Sequence, residues 1–101
     1  MGLYTAMRPP RRDRFVAPFV DSDTVAVVDA AIAALGVARG FGSDGDVSTT
    51  LHVVASLVRE IEARVVGGVA DARAQDYSWA QIGDLLGVTR SSAWQRFGGD
   101  G

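Results

Sequence analysis

An all-α fold is what three features of the sequence predict together. Apolar residues recur at three- and four-residue steps through two long stretches, around Val25–Leu35 and Leu51–Ala72. Cap-forming residues stand ahead of apolar runs and glycines stand behind them, as at Ser78 and Gly87. The prolines, at positions 9, 10 and 18, all precede these stretches and break none of them. A length of 101 residues suffices for one domain with a modest core, so the expected organisation is an arm over 1–20 and a single helical domain over 21–101.

The arm carries no helical or strand period, and Pro9, Pro10 and Pro18 oppose a continuous element, which predicts extended chain. Its basic content is concentrated in Arg8, Arg11, Arg12 and Arg14. The simpler reading is a solvated tail with Phe15 and Phe19 pinned on the core. The other is an arm that follows a nucleic-acid groove or its phosphates.

A helix is expected over Thr24–Leu35, capped by Ser22 or Asp23 and ended by Gly36. Val25, Val28, Ile32 and Leu35 form its stripe, and Val27, Ala31 and Ala34 widen it. Only Asp29 interrupts the apolar surface, so the helix should be covered on more than one side. Residues 40–46 read as a loop, without the lysine of a phosphate-binding loop or the ligand spacing of a calcium loop.

Ser48 then caps the longest helical pattern, running to about Ala74. Leu51, Val54, Val58, Ile61, Val65, Val69 and Ala72 line one face and Arg59, Glu60, Glu62 and Arg64 the other. Gly67 and Gly68 each weaken this helix by roughly 1 kcal/mol relative to alanine. They either break it or mark a close approach by another helix, the second being favoured.

The last stretch, Ser78–Phe97, divides into a capped helix to Leu86, a left-handed turn at Gly87, and a second helix capped by Thr89. Gln81 stands three residues after Ser78, where a capping box would place it. Ala80, Gly83 and Leu86 share one face of the first helix with Ile82 beside them, and Gly83 is small where the helices would cross. Two short helices joined in this way describe a helix-turn-helix unit.

The runs Trp79-Ala80-Gln81-Ile82-Gly83, Leu86-Gly87-Val88-Thr89-Arg90 and Ala93-Trp94-Gln95-Arg96-Phe97 resemble the motif of small bacterial helix-turn-helix DNA-binding regulators. The likeness is strongest to actinobacterial ones and looser to region 4 of sigma factors. It covers about a fifth of the chain. One departure is that Arg96 followed by Phe97 stands where such regulators carry a branched apolar residue, which predicts a rotated or bent helix end.

The resemblance implies a second helix in the DNA major groove, with Arg90, Ser91, Trp94 and Gln95 toward the bases and Ala93 and Phe97 toward the core. Arginine can bridge guanine O6 and N7, and glutamine adenine N6 and N7. Ser78, Gln81, Thr89 and Arg96 would hold phosphates and set register. Trp94 alone has two open roles, in the groove or as an anchor in a core or interface.

Enzymatic readings lack parts: there is no cysteine, no Gly-x-Ser-x-Gly elbow and one histidine, His52. Glu60 and Glu62, two apart on a helix, diverge. No cofactor or metal is expected. Without cysteines or an apolar span, a cytoplasmic protein without a membrane partner is expected. The expected partners are double-stranded DNA and a second copy of the chain, because one small motif buries little DNA surface. The net charge of −2 supports the alternative, a protein-protein interaction module that uses the same scaffold for another protein. A ligand sensor is the weakest reading, since no segment is left to build one.

Overall fold

In the computed structural model, which describes residues 16–42 and 45–98, the chain is all-α. Four helices are present among the described residues: α1 (Ser22–Ala38), α2 (Val47–Ala74), α3 (Trp79–Leu86) and α4 (Arg90–Phe97). None is long and apolar enough to cross a membrane. Most of the expected arm lies outside the described residues, including Arg8, Arg11, Arg12, Arg14 and Phe15. Its last residues, Val16–Val20, have no regular structure, and Phe19 is exposed, not pinned on a core.

Two compact units are distinguished, one built from residues 19–68 and the other from residues 69–98 with 16–18. The division falls inside α2, between Gly68 and Val69. The helix nevertheless continues through both glycines, and an added Cβ at either would meet nothing within 4 Å among the described residues. The glycine pair therefore does not break α2, and among the described residues nothing packs on it, so the expected close approach is not seen.

In the first unit, α1 starts earlier and ends later than the sequence suggests. Asp21, not Ser22 or Asp23, is the N-cap: its Oδ1 accepts the Thr24 N–H at 2.9 Å and the Thr24 hydroxyl at 2.7 Å. Thr24 Oγ1 in turn accepts the Asp21 N–H at 3.4 Å, so threonine closes the box that glutamate or glutamine more often closes. Gly36 does not stop the helix, which runs on to Ala38; the left-handed residue of its ending is Gly40, with φ 82°. Phe41 N–H reaches back to Gly36 C=O and Gly40 N–H to Val37 C=O, both at 2.9 Å. These two bonds form a Schellman ending, and Gly36 is left buried inside the last turn.

α2 is capped by Asp46 instead of Ser48. Its Oδ1 takes the Thr49 N–H at 2.9 Å and the Ser48 hydroxyl at 3.0 Å. The same ending recurs at its other terminus, where Tyr77 N–H bonds Ala72 C=O and Asp76 N–H bonds Arg73 C=O at 3.0 Å. Here the left-handed position is occupied by Asp76, at φ 68°, an uncommon place for a residue with a Cβ but one that aspartate tolerates.

The covered face of the first part of α2 is turned from the expected one. Thr49, Val53, Ser56 and Leu57 are covered together with the expected Val54, Val53 being buried, whereas Leu51, Val58 and Ile61 are 64%, 50% and 59% exposed. Arg39 ties the loop to this face, since Nη1 lies 2.7 Å from His52 Nε2 and donates to Ser56 Oγ at 2.8 Å. Arginine has no acceptor, so His52 Nε2 must be the unprotonated nitrogen in that contact. Phe41 meets the same imidazole edge-on at 5.8 Å, giving the lone histidine a structural place in the loop.

Candidate nucleic-acid interface

The second unit is organised by caps that the sequence states openly. Ser78 Oγ accepts the Gln81 N–H at 3.0 Å while Gln81 Oε1 accepts the Ser78 N–H at 2.8 Å. Gly87, at φ 74°, ends α3, and Val88 N–H closes on Gly83 C=O at 2.9 Å. Thr89 Oγ1 then accepts the Ser92 N–H at 3.0 Å and starts α4. The caps use the hydroxyl oxygens and one amide oxygen, leaving the Ser78 and Thr89 hydroxyl protons and the Gln81 NH₂ as donors.

Gly83 sets how closely the two helices meet. A Cβ there would stand 2.8 Å from Val88 O and 3.1 Å from Thr89 C and O, all backbone atoms that cannot rotate away. Ile82, Gly83 and Ala93 are buried, with Trp79, Leu86 and Phe97 half-buried around them. Ala80 is exposed, so the inward face is Trp79-Ile82-Gly83-Leu86, a correction to the expected grouping of Ala80 with Gly83 and Leu86. The Trp79 spacing to these residues is i+3, i+4 and i+7, the ordinary stripe of a helix packed on one side.

On α4 the phase follows from Ala93, which is 0% exposed. Phe97, one turn later, is half-buried, while Arg90, Ser91, Trp94, Gln95 and Arg96 are exposed. The helix runs regularly to Phe97, so no break accompanies the departure at its end. Phe97 takes the inward position and Arg96 lies outside it, its guanidinium 5.2 Å from the Phe97 ring centroid.

Trp94 is 48% exposed, and with Trp79, Arg90 and Ser91 it lines an open recess of about 180 Å³. Of the expected site residues, then, Arg90, Ser91 and Trp94 come together, Ser78 pairs with Gln81, and Thr89 caps the helix beneath Arg90. Trp79, absent from the expected site residues, joins this face. Arg73 lies over its ring at 4.8 Å and donates from Nη1 to Tyr77 C=O at 2.8 Å. A Cβ on Gly98 would meet Trp79 Cζ2 at 2.7 Å and Trp94 Cδ1 at 3.1 Å, so a side chain at this position would crowd both indoles.

The charge on this unit is balanced. Residues 69–98 carry Arg73, Arg90 and Arg96 against Asp71, Asp76 and Asp84. Among the described residues no cluster of His, Asp and Glu could hold a metal ion. Comparison with family models, curated proteins and solved structures gives no match for the chain.

Proposed function

We propose that the protein is a cytoplasmic, sequence-specific DNA-binding protein, a transcriptional regulator that inserts α4 into the major groove. The observation that carries this reading is the exposed row Arg90, Ser91, Trp94 and Gln95 on the second helix of a tightly capped helix-turn-helix. The row starts at the helix end that enters the groove first in such units. Arg90 bridges guanine, Gln95 reads an adenine edge, and Ser78, Gln81, Thr89 and Arg96 hold phosphates. Because the folded unit is charge-balanced, much of the non-specific attraction falls to the arginines of residues 1–14.

A second copy completes the reader. Val28 on α1 and Leu51 and Ile61 on α2 leave apolar area in water that a partner would cover. A two-fold dimer would present two recognition helices to half-sites about 34 Å apart. The same exposed faces favour the other reading, an interaction module for a different protein. Selection of bound duplexes from random DNA, run beside light scattering, separates them. An enriched palindrome with a mass of two chains supports the dimeric reader; no enrichment and no duplex binding at low salt supports the module. Arg90→Ala should cost about 1–3 kcal/mol on the enriched site and leave random DNA nearly unaffected.

A further inference from the structure

We infer that the recess between Trp79 and Trp94 seats the 5-methyl group of a pyrimidine, thymine in unmodified DNA, next to the guanine read by Arg90; this rests on the DNA-binding reading above. The walls are two indoles, while Arg90 and Ser91 stand at the same opening. Among the groups that base pairs expose in the major groove, only the thymine 5-methyl is apolar; guanine, adenine and cytosine offer hydrogen-bonding atoms alone. An indole-lined hollow on a groove-reading face therefore selects thymine by chemistry. A phosphate would use only the Arg90 and Ser91 donors at the rim and leave the indole faces without an apolar partner.

The hollow is built before any DNA arrives. Arg73 covers Trp79 at 4.8 Å and is itself held by the Tyr77 carbonyl. Gly98 stands where even a Cβ would crowd both rings, so the two indoles are already packed close to the chain before binding. Arg90 and Trp94 are four residues apart on α4 and share a side, which places the guanine contact and the methyl contact on neighbouring bases. This also assigns Trp94 its role: it faces the groove, half-exposed, with Trp79 as its supporting wall.

The test uses the full chain and duplexes carrying the site enriched from random DNA. Each thymine is replaced in turn by deoxyuridine, which removes the methyl and nothing else. One position per half-site, beside the guanine, should lose about three- to ten-fold in affinity on this change. Cytosine at that position should bind as weakly as uracil, and 5-methylcytosine should recover part of the loss. Trp94→Ala should bind thymine and uracil duplexes equally, with circular dichroism showing that its helices persist; should that variant unfold, the comparison on the unaltered chain still decides. If uracil is tolerated at every position while the enriched site is still bound, the methyl-reading role is overturned and DNA binding stands. If the chain binds no duplex at low salt, the DNA-binding reading fails and takes this inference with it.

Discussion

Between Ser78 and Phe97 the helix ends are closed and the inward faces covered, though Trp94 stays half exposed: the caps lie within three residues, the crossing is made by Gly83, and Ile82 and Ala93 are buried. In residues 19–68 the ends are closed just as well, by Asp21, Gly40 and Asp46, but the faces are not. Val28 and Ile61 remain about half in water while, among the described residues of this unit, Val53 alone is a buried large hydrophobic. Capping fixes where a helix starts and stops; burial fixes what it is for. The 78–97 stretch covers its inward side chains within its own unit, whereas residues 19–68 leave large apolar side chains exposed.

The largest way to break this contrast is to put charge on the open faces. If a second copy covers them, Val28→Asp combined with Ile61→Asp should dissociate the dimer. Burying each carboxylate would cost about 2 kcal/mol or more, a shift of tens- to hundred-fold per site. Sedimentation checks this directly, and each folded chain should keep its helical circular dichroism because both positions already face solvent. An unchanged mass would mean that those faces serve something else.

Next in size is the closed crossing. Gly83→Ala brings a methyl to within 2.8 Å of the Val88 carbonyl oxygen, so the turn must move. A loss of about 1–3 kcal/mol in stability is expected from overpacking of this kind. Gly67→Ala and Gly68→Ala are the counterpart, since open space surrounds both and the helix continues through them. Each should raise stability by about 0.5–1 kcal/mol. Chemical denaturation of the three variants reads the opposite signs; a loss at Gly67 or Gly68 comparable to that at Gly83 would show that the helix bends or is approached there.

These residues also explain what the sequence made legible. The Ser78–Gln81 box, the Gly87 stop, the Thr89 cap and the small Gly83 depend on neighbours a few positions away, and all were readable. The cap of α1 was not, because Asp21, Ser22 and Asp23 are adjacent and any of them can serve. Gly36 and Gly40 posed the same choice at the other end. The phase of α2 was obscured for a different reason: Val53, Val54, Leu57 and Val58 form a broad apolar band, and which edge is covered depends on what packs there. In the candidate site, the outward row on α4 and the inward Ala93 and Phe97 came together from the resemblance to helix-turn-helix regulators, and the exposures agree with that division. Trp79 was missed as part of it because its place there comes from Arg73 and Gly98, contacts that no local period announces.

Acid should separate the two units through their caps. α1 and α2 begin on carboxylates, Asp21 and Asp46, whereas α3 and α4 begin on the hydroxyls of Ser78 and Thr89, which do not titrate in this range. The Thr24 hydroxyl, then its N–H, hold the Asp21 pKa below its ordinary 3.8. For Asp46 the Thr49 N–H comes first and the Ser48 hydroxyl second, with the same direction from 3.8. A lowered folded-state pKa means that the bonded carboxylate contributes stability in full above 3.8, and loses it as pH falls through the folded value. Protonation removes the charge that the N-terminal dipole of each helix favours and weakens the acceptor. Amide resonances of Thr24 and Thr49 should therefore shift and lose exchange protection on acidification, while those of Gln81 and Ser92 hold. Asp21→Asn and Asp46→Asn should abolish that response with little change at neutral pH, because asparagine caps a helix about as well without titrating. If all four amides moved together with one midpoint, acid would be unfolding the chain as a whole and the carboxylate caps would not be its point of entry.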